Sequence, residues 1–193
     1  MDISRLKTMI TQKLANELSE KLTYHNVNHT LRVFDVCQEY IKRLSIDPHD
    51  AYLLQTAAMM HDTGYLNHYE NHEEGSVQYV QDLLPGWGYS AGEIAKIIGM
   101  IRATKIPQKP ETLLEKIIGD ADLDYLGTDS YDKIATKLYQ ELINLDHLSD
   151  KQEWTQLQIE FLQKHQYHTD FARKYREPVK QKHLKEILDK KGW

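Results

Sequence analysis

The sequence predicts an all-α fold, a single-domain bundle of about eight or nine helices. Apolar residues recur at helical spacing from end to end, and helix-capping patterns precede several of the apolar stretches. Nowhere do β-branched and aromatic residues alternate with period two between turn residues, so no strand is expected. At 193 residues, with 40% hydrophobic and 27% charged, the chain is about one domain long and has the composition of a soluble globular protein. That balance excludes disordered, collagen-like and low-complexity classes.

The elements follow in order. Ile3, Leu6, Ile10, Leu14 and Leu18 mark a first amphipathic helix. Leu31, Phe34, Val36, Tyr40, Ile41 and Leu44 mark a second, which starts near Asn26 or Asn28 and ends before Asp47. Asp47 then suits an N-cap, with Pro48 at the first helical position, for a third helix that runs through Met60 and is ended by Gly64. Ser90 with Glu93, Thr112 with Glu115, and Ser149 with Gln152 have capping-box spacing and predict three further helix starts. Pro85-Gly86 and Pro107 to Pro110 break the helical pattern, and Gly127-Thr128-Asp129 closes another segment. No internal repeat or flexible linker interrupts the chain.

Cys37 is the only cysteine, so neither an internal disulfide nor a thiolate cage can form, and any metal must be held by His and carboxylate. Ten His residues make such a site feasible. His61-Asp62 ends a run of small and apolar residues, Ala57 to Met60, where a buried acid beside a buried imidazole is costly unless a cation satisfies both. Asp120, Asp122 and Asp124 lie on a helix that is apolar around much of its circumference, and a metal or a basic side chain would relieve their repulsion. A helical wheel does not choose among the three. His68 and His72, four apart, would share a helix face, with Glu73 and Glu74 beside them. Arg102 and Lys105 stand at a helix end before Pro107, where they complement the dipole or hold phosphate oxygens. From Phe171 onward eight Lys/Arg face three Asp/Glu, a basic tail on an otherwise acidic chain.

His29, then His61-Asp62, then an Asp within Ala121-Asp122-Leu123 resembles, in order and context, the HD-domain superfamily of metal-dependent phosphohydrolases. The resemblance implies one HD-type domain over 1–193, with a metal-site core at about 22–126 and C-terminal helices 130–193 packed on it. It implies His29, His61, Asp62 and Asp122 as ligands of one divalent cation, and Asp62 also as a base. Tyr24-His25-Asn26-Val27-Asn28-His29 is similar to the opening motif of cyclic-nucleotide phosphodiesterases, which implies His25 as proton donor to the leaving oxygen. After Asp62 the chain reads Thr63-Gly64-Tyr65 and departs from those enzymes. His68, His72, Glu73 and Asp120 are candidates for bracing the ligands or for holding a second cation.

The expected function is metal-dependent hydrolysis of a phosphomonoester or phosphodiester of a nucleotide or related small molecule. His25, Asp62, Arg102 and Lys105 would carry catalysis. The alternatives are a cyclic-nucleotide phosphodiesterase specifically, or a non-catalytic nucleotide-sensing protein. Nitrogen and oxygen ligands suit Mn, Fe, Co, Ni or Mg. The expected partner is a small phosphorylated substrate, and a homo-oligomer is compatible with the sequence. The pI near 6.0 and the lack of an aromatic-interleaved basic groove argue against nucleic acid. No apolar run approaches the roughly 20 residues a bilayer requires, and the N-terminus is amphipathic and lacks a signal-peptide pattern, so a cytoplasmic location is expected.

Overall fold

The computed structural model describes residues 2–191. Among them are ten α-helices and no strand, so the fold is all-α. The helices are α1 (Ile3–Glu17), α2 (Val27–Leu44), α3 (Pro48–Met60), α4 (His72–Leu83), α5 (Ala91–Ala103), α6 (Leu113–Asp122), α7 (Tyr131–Asn144), α8 (Lys151–Lys164), α9 (Asp170–Tyr175) and α10 (Glu177–Lys191). Short 3₁₀ turns span Thr63–Leu66, Leu84–Trp87 and Asp124–Gly127. Among the described residues no helix is long and apolar enough to cross a membrane.

The chain divides into two compact units. One comprises the residues up to Ser19 and His25–Asp122; the other comprises Glu20–Tyr24 and the chain from Leu123. The first unit is built around α3, which packs against α1, α2, α5 and α6. Ala51, Leu53, Leu54, Thr56 and every residue from Ala57 to Met60 are buried. A helix enclosed this way can hold polar groups at its end out of water, and the residues that follow Met60 are His61 and Asp62. The second unit packs α10 against α8, α9 and the 3₁₀ turn at Asp124–Gly127. Tyr125, Leu126, Ile159, Leu162, Tyr167 and Ala172 are among its core residues.

Several helix starts lie where the caps put them. The Asn26 side chain accepts the Asn28 N–H, and Asp47 accepts that of His49 with Pro48 behind it. Ser90 and Glu93 close a reciprocal capping box on α5, and Thr112 and Glu115 do so before α6. At α8 the cap is displaced by one residue. Asp150 accepts the N–H groups of both Gln152 and Glu153, while Glu153 accepts the Ser149 N–H. An ionised carboxylate able to take two donors outcompetes the serine hydroxyl.

The helix count exceeds expectation because the basic tail is split. Arg176 caps α9, and α10 opens at Glu177 with Pro178, which lacks an N–H, in its first turn. His68 and His72 do not share a helix face. Asn71 adopts a left-handed conformation with φ of 57°, α4 begins only at His72, and His68 lies exposed in the preceding link.

Candidate metal centre

The site lies within the first unit, where the start of α2 meets the ends of α3 and α6. The Asn26 cap starts α2 so that His29 falls in its first turn, buried to 1% exposure. His61 caps the C-terminal end of α3 and is fully buried. Its Nδ1 donates to the Ala58 carbonyl at 2.9 Å, which turns Nε2 inward. Asp62 precedes a 3₁₀ turn but makes no capping bond with its side chain. Its carboxylate faces the imidazoles instead. Asp122, the last residue of α6, completes the set.

Four donor atoms converge. His29 Nε2 lies 3.0 Å from Asp122 Oδ1, 3.2 Å from Asp62 Oδ2 and 3.2 Å from His61 Nε2. His61 Nε2 lies 3.3 Å from Asp62 Oδ2 and 3.7 Å from Asp122 Oδ1. Donors bonded to one cation at about 2.0–2.2 Å stand roughly 3–3.5 Å from one another, so four of these separations fit a shared ion and the His61–Asp122 one, at 3.7 Å, lies just beyond. Asp62 Oδ2 is buried and has no well-formed hydrogen bond although two imidazole nitrogens lie against it. A buried carboxylate oxygen left this way is expensive, and a divalent cation is the partner its surroundings suit. His29, His61 and Asp122 offer three donors that lie within 4.8 Å of one another.

Electrostatics inside the cluster are strong. Burial alone would lower the His61 pKa, but the adjacent Asp62 and Asp122 carboxylates hold it well above its ordinary value. Burial works against ionisation of Asp62 too, yet His61 and His29 hold it well below the usual carboxylate range. Asp122 is pulled down by the same two imidazoles against the same desolvation. Cys37, buried in the same unit, has its thiol pushed up by burial and by the Asp122 charge, which suits an inert core residue.

Around this cluster stands a wall of rings. His25 lies edge-on to His29 with centroids 5.7 Å apart and stacks on Tyr65 at 4.5 Å. Tyr65 stacks in turn on His72 at 3.9 Å. His72 Nε2 is 3.5 Å from Asp62 Oδ1 and 3.7 Å from Glu73 Oε1, so Asp62 faces the cluster with one oxygen and His72 with the other. Burial lowers the His72 pKa, opposed by Asp62 and Glu73.

Close backbone approach sets this arrangement. A Cβ at Gly64 would collide with the His72 carbonyl oxygen, so only glycine lets the turn after Asp62 reach α4. Ser76 Oγ donates to the His61 carbonyl at 2.6 Å and accepts the Gly64 N–H at 2.8 Å, which ties α4 to the His61-Asp62 turn. Ser76 was missed by sequence reasoning, because a serine inside a helix carries no signal of its partner.

Other residues singled out in the sequence are placed elsewhere. Asp120 is fully buried on α6. Asp124 is in the second unit and pairs with Arg176 at 2.6 Å. His68, His72, Glu73 and Asp120 do not assemble a second group of three close donors among the described residues. Arg102 makes a two-pronged pair with Glu74 at 2.7 and 2.8 Å, and Lys105 donates to Asn71 Oδ1 at 2.6 Å. Both cations are thus engaged by α4 and the residue before it. Arg32, unremarked in the sequence, contacts His29 Nδ1 at 2.9 Å. The spacing of three residues along α2 could have revealed it.

An all-α unit with a buried His, a His-Asp doublet and a late Asp around one point defines a metal-centred helical hydrolase class. The HD domain model matches residues 26–124, and the chain belongs to the HD domain family. Among solved structures, it is similar to a predicted HD superfamily hydrolase from an uncultured Thermotogales bacterium, at 21% identity over 100% of both chains with a TM-score of 0.63. It is also similar to Bacillus subtilis YpgQ in complex with ADP, at 18% identity over 98% of this chain and 97% of that one with a TM-score of 0.64. A third similar structure, from Lactobacillus plantarum, shares 17% identity over 97% and 95% with a TM-score of 0.67. No curated protein matches the sequence. At these identities the structural likenesses establish the fold, while family membership supports divalent-metal binding and hydrolase chemistry in general.

Proposed function

We propose that this protein is a metal-dependent phosphohydrolase acting on a nucleotide or a related small phosphoester. The observation that carries this reading is the convergence of His29, His61, Asp62 and Asp122 on one buried point, with Asp62 Oδ2 lacking a hydrogen bond there. The ADP bound to the Bacillus subtilis relative favours a nucleotide as the substrate class.

In this reading those four side chains hold the cation. When bound, a divalent cation there supplies Lewis acidity, activating water and neutralising phosphoryl charge. Asp62 Oδ1, turned away from the cluster, takes the proton of the attacking water, and His72 Nε2 at 3.5 Å stands ready to relay it. His25, beside His29 on the ring wall, donates a proton to the leaving oxygen. Arg102 and Lys105 hold phosphoryl oxygens by exchanging Glu74 and Asn71 for substrate.

The test is metal-supplemented hydrolysis of bis(p-nitrophenyl) phosphate, 3′,5′-cyclic nucleotides, 5′-mononucleotides and nucleoside triphosphates, by wild type and His61→Ala in parallel. Turnover in wild type alone is the expected result. Preference for diesters would support His25 as acid and the cyclic-nucleotide alternative. Bound metal with no turnover on any substrate would overturn the enzymatic reading in favour of a nucleotide sensor.

A further inference from the structure

We infer that the second unit carries its own binding site for a mononucleotide, in the cavity between α7, α8 and α10, with the phosphate held by Lys151 and Lys190 and the nucleoside facing Asp132 and Gln158. The cavity has a volume of about 530 Å³, within the range of small-molecule sites. Ala135, Trp154 and Ile187 give it an apolar lining. Its two ends differ. At one, Gln158 Nε2 donates to the Tyr131 hydroxyl at 2.8 Å and the Tyr131 ring stacks on His183 at 4.7 Å, which brings the three helices to one level. Asp132, next to Tyr131, and the Gln158 carbonyl oxygen give this end acceptors. Seven residues back along α8 stands Lys151, and seven residues on along α10 stands Lys190. Each is about 10 Å from that level at the helical rise, and both line the same cavity, so its other end is cationic.

Charge selects the ligand. Elsewhere in this unit Arg176 pairs with Asp124, Lys180 with Glu177 and Lys164 with Glu160. Among the described residues, by contrast, Asp132, Lys151 and Lys190 line one cavity and none of the three makes an ion pair. Two ammonium groups against one carboxylate leave the cavity net positive. A phosphate monoester answers that charge, whereas a zwitterionic amino acid adds none. The acceptors at the opposite end suit the amino and hydroxyl donors of a base and a ribose, and the apolar lining between suits a planar ring. A phosphate joined through a ribose to a base bridges the two ends, while inorganic phosphate or a nucleoside engages only one. The site uses no residue of the metal centre, so its test stands apart from the hydrolase reading.

The experiment titrates 5′-AMP into the full chain in EDTA and follows the indole N–H of Trp154 by ¹H–¹⁵N NMR, with Trp154→Phe assigning the signal. AMP should shift it in wild type and equally in His61→Ala. Lys151→Gln and Lys190→Gln should each weaken AMP at least about tenfold, the worth of a charge-assisted hydrogen bond. Both lysines are exposed, so neither change threatens the fold. Lys133→Gln, which alters an exposed lysine of α7 that does not line the cavity, should bind as wild type does. Adenosine and inorganic phosphate should each bind more weakly than AMP, and only phosphate should lose further affinity in the lysine variants. A Trp154 signal unmoved by AMP would overturn the inference, as would an equal loss in all three lysine variants. Loss of AMP binding in His61→Ala would place the nucleotide at the metal centre and overturn it likewise. Inorganic phosphate binding as tightly as AMP would reduce the cavity to an anion site, and phenylalanine or tryptophan binding in place of AMP would overturn the nucleotide assignment.

Discussion

The hydrogen bond from His61 Nδ1 to the Ala58 carbonyl, three residues back on the same helix, turns the free end of α3 into a donor for a cation. The imidazole needs no other element to set its direction, because the helix that delivers it also orients it. Replacing His61 with Ala should lower metal-dependent turnover by more than about 100-fold, since the activation a bound cation provides amounts to several kcal/mol. The variant should keep the helical circular dichroism of wild type. Full metal-dependent turnover in His61→Ala would refute the assignment.

Stability of the chelator-treated protein should depend on pH on both sides. Asp62 is held below its ordinary value of 3.8, so its contribution is present above that value and is lost as pH falls through the folded pKa. His61 is raised above its ordinary value of 6.5, so its contribution is complete below 6.5 and is lost as pH rises through the folded pKa. Urea midpoints in EDTA should therefore be highest between pH 3.8 and 6.5 and decline on either side. With Mn²⁺ present the alkaline decline should disappear, because deprotonated imidazole is the form that binds metal. Identical pH profiles with and without Mn²⁺ would contradict this.

Gly64→Ala should be among the most damaging single-methyl changes in the first unit. The added Cβ meets the His72 backbone carbonyl, which cannot rotate away as a side chain would. Relief requires moving α4, at a cost of about 3 kcal/mol, the upper end of ordinary overpacking. A melting temperature within a degree or so of wild type would show that the approach of turn to helix is looser than described.

The Arg102–Glu74 pair should matter little to folding. Both side chains are half-exposed, so Arg102→Ala should change unfolding free energy by less than about 1 kcal/mol despite the two-pronged geometry. If Arg102 exchanges partners to hold substrate, Glu74→Gln should lower KM for the phosphoester and Arg102→Ala should raise it. Equal KM in both variants would exclude that exchange.

Much of this fold is legible because helix starts are local events. Asn26, Asp47, Ser90 and Thr112 cap with donors two or three residues away, a distance at which sequence and space coincide. The same holds for His61-Asp62, whose oddity is visible from the apolar run before it. The choice among Asp120, Asp122 and Asp124 is not local. Asp120 and Asp122 lie at the end of α6 and Asp124 in the 3₁₀ turn that follows, all three buried or nearly so, and what separates them is the rotation of α6 relative to α2 and the Arg176 that claims Asp124. Spacing also failed at His68 and His72, because a left-handed Asn71 ends any shared helix before it begins. Arg102 and Lys105 could be placed at a helix end from sequence, but their engagement with Glu74 and Asn71 depends on how α4 and α5 pack.

The ring of Tyr65 touches both His25 and His72. In a close-packed interior, a ring with neighbours on two sides has no vacant space to turn into. The two imidazoles that flank the cluster therefore share one packing neighbour, and a smaller side chain in place of Tyr65 should loosen both.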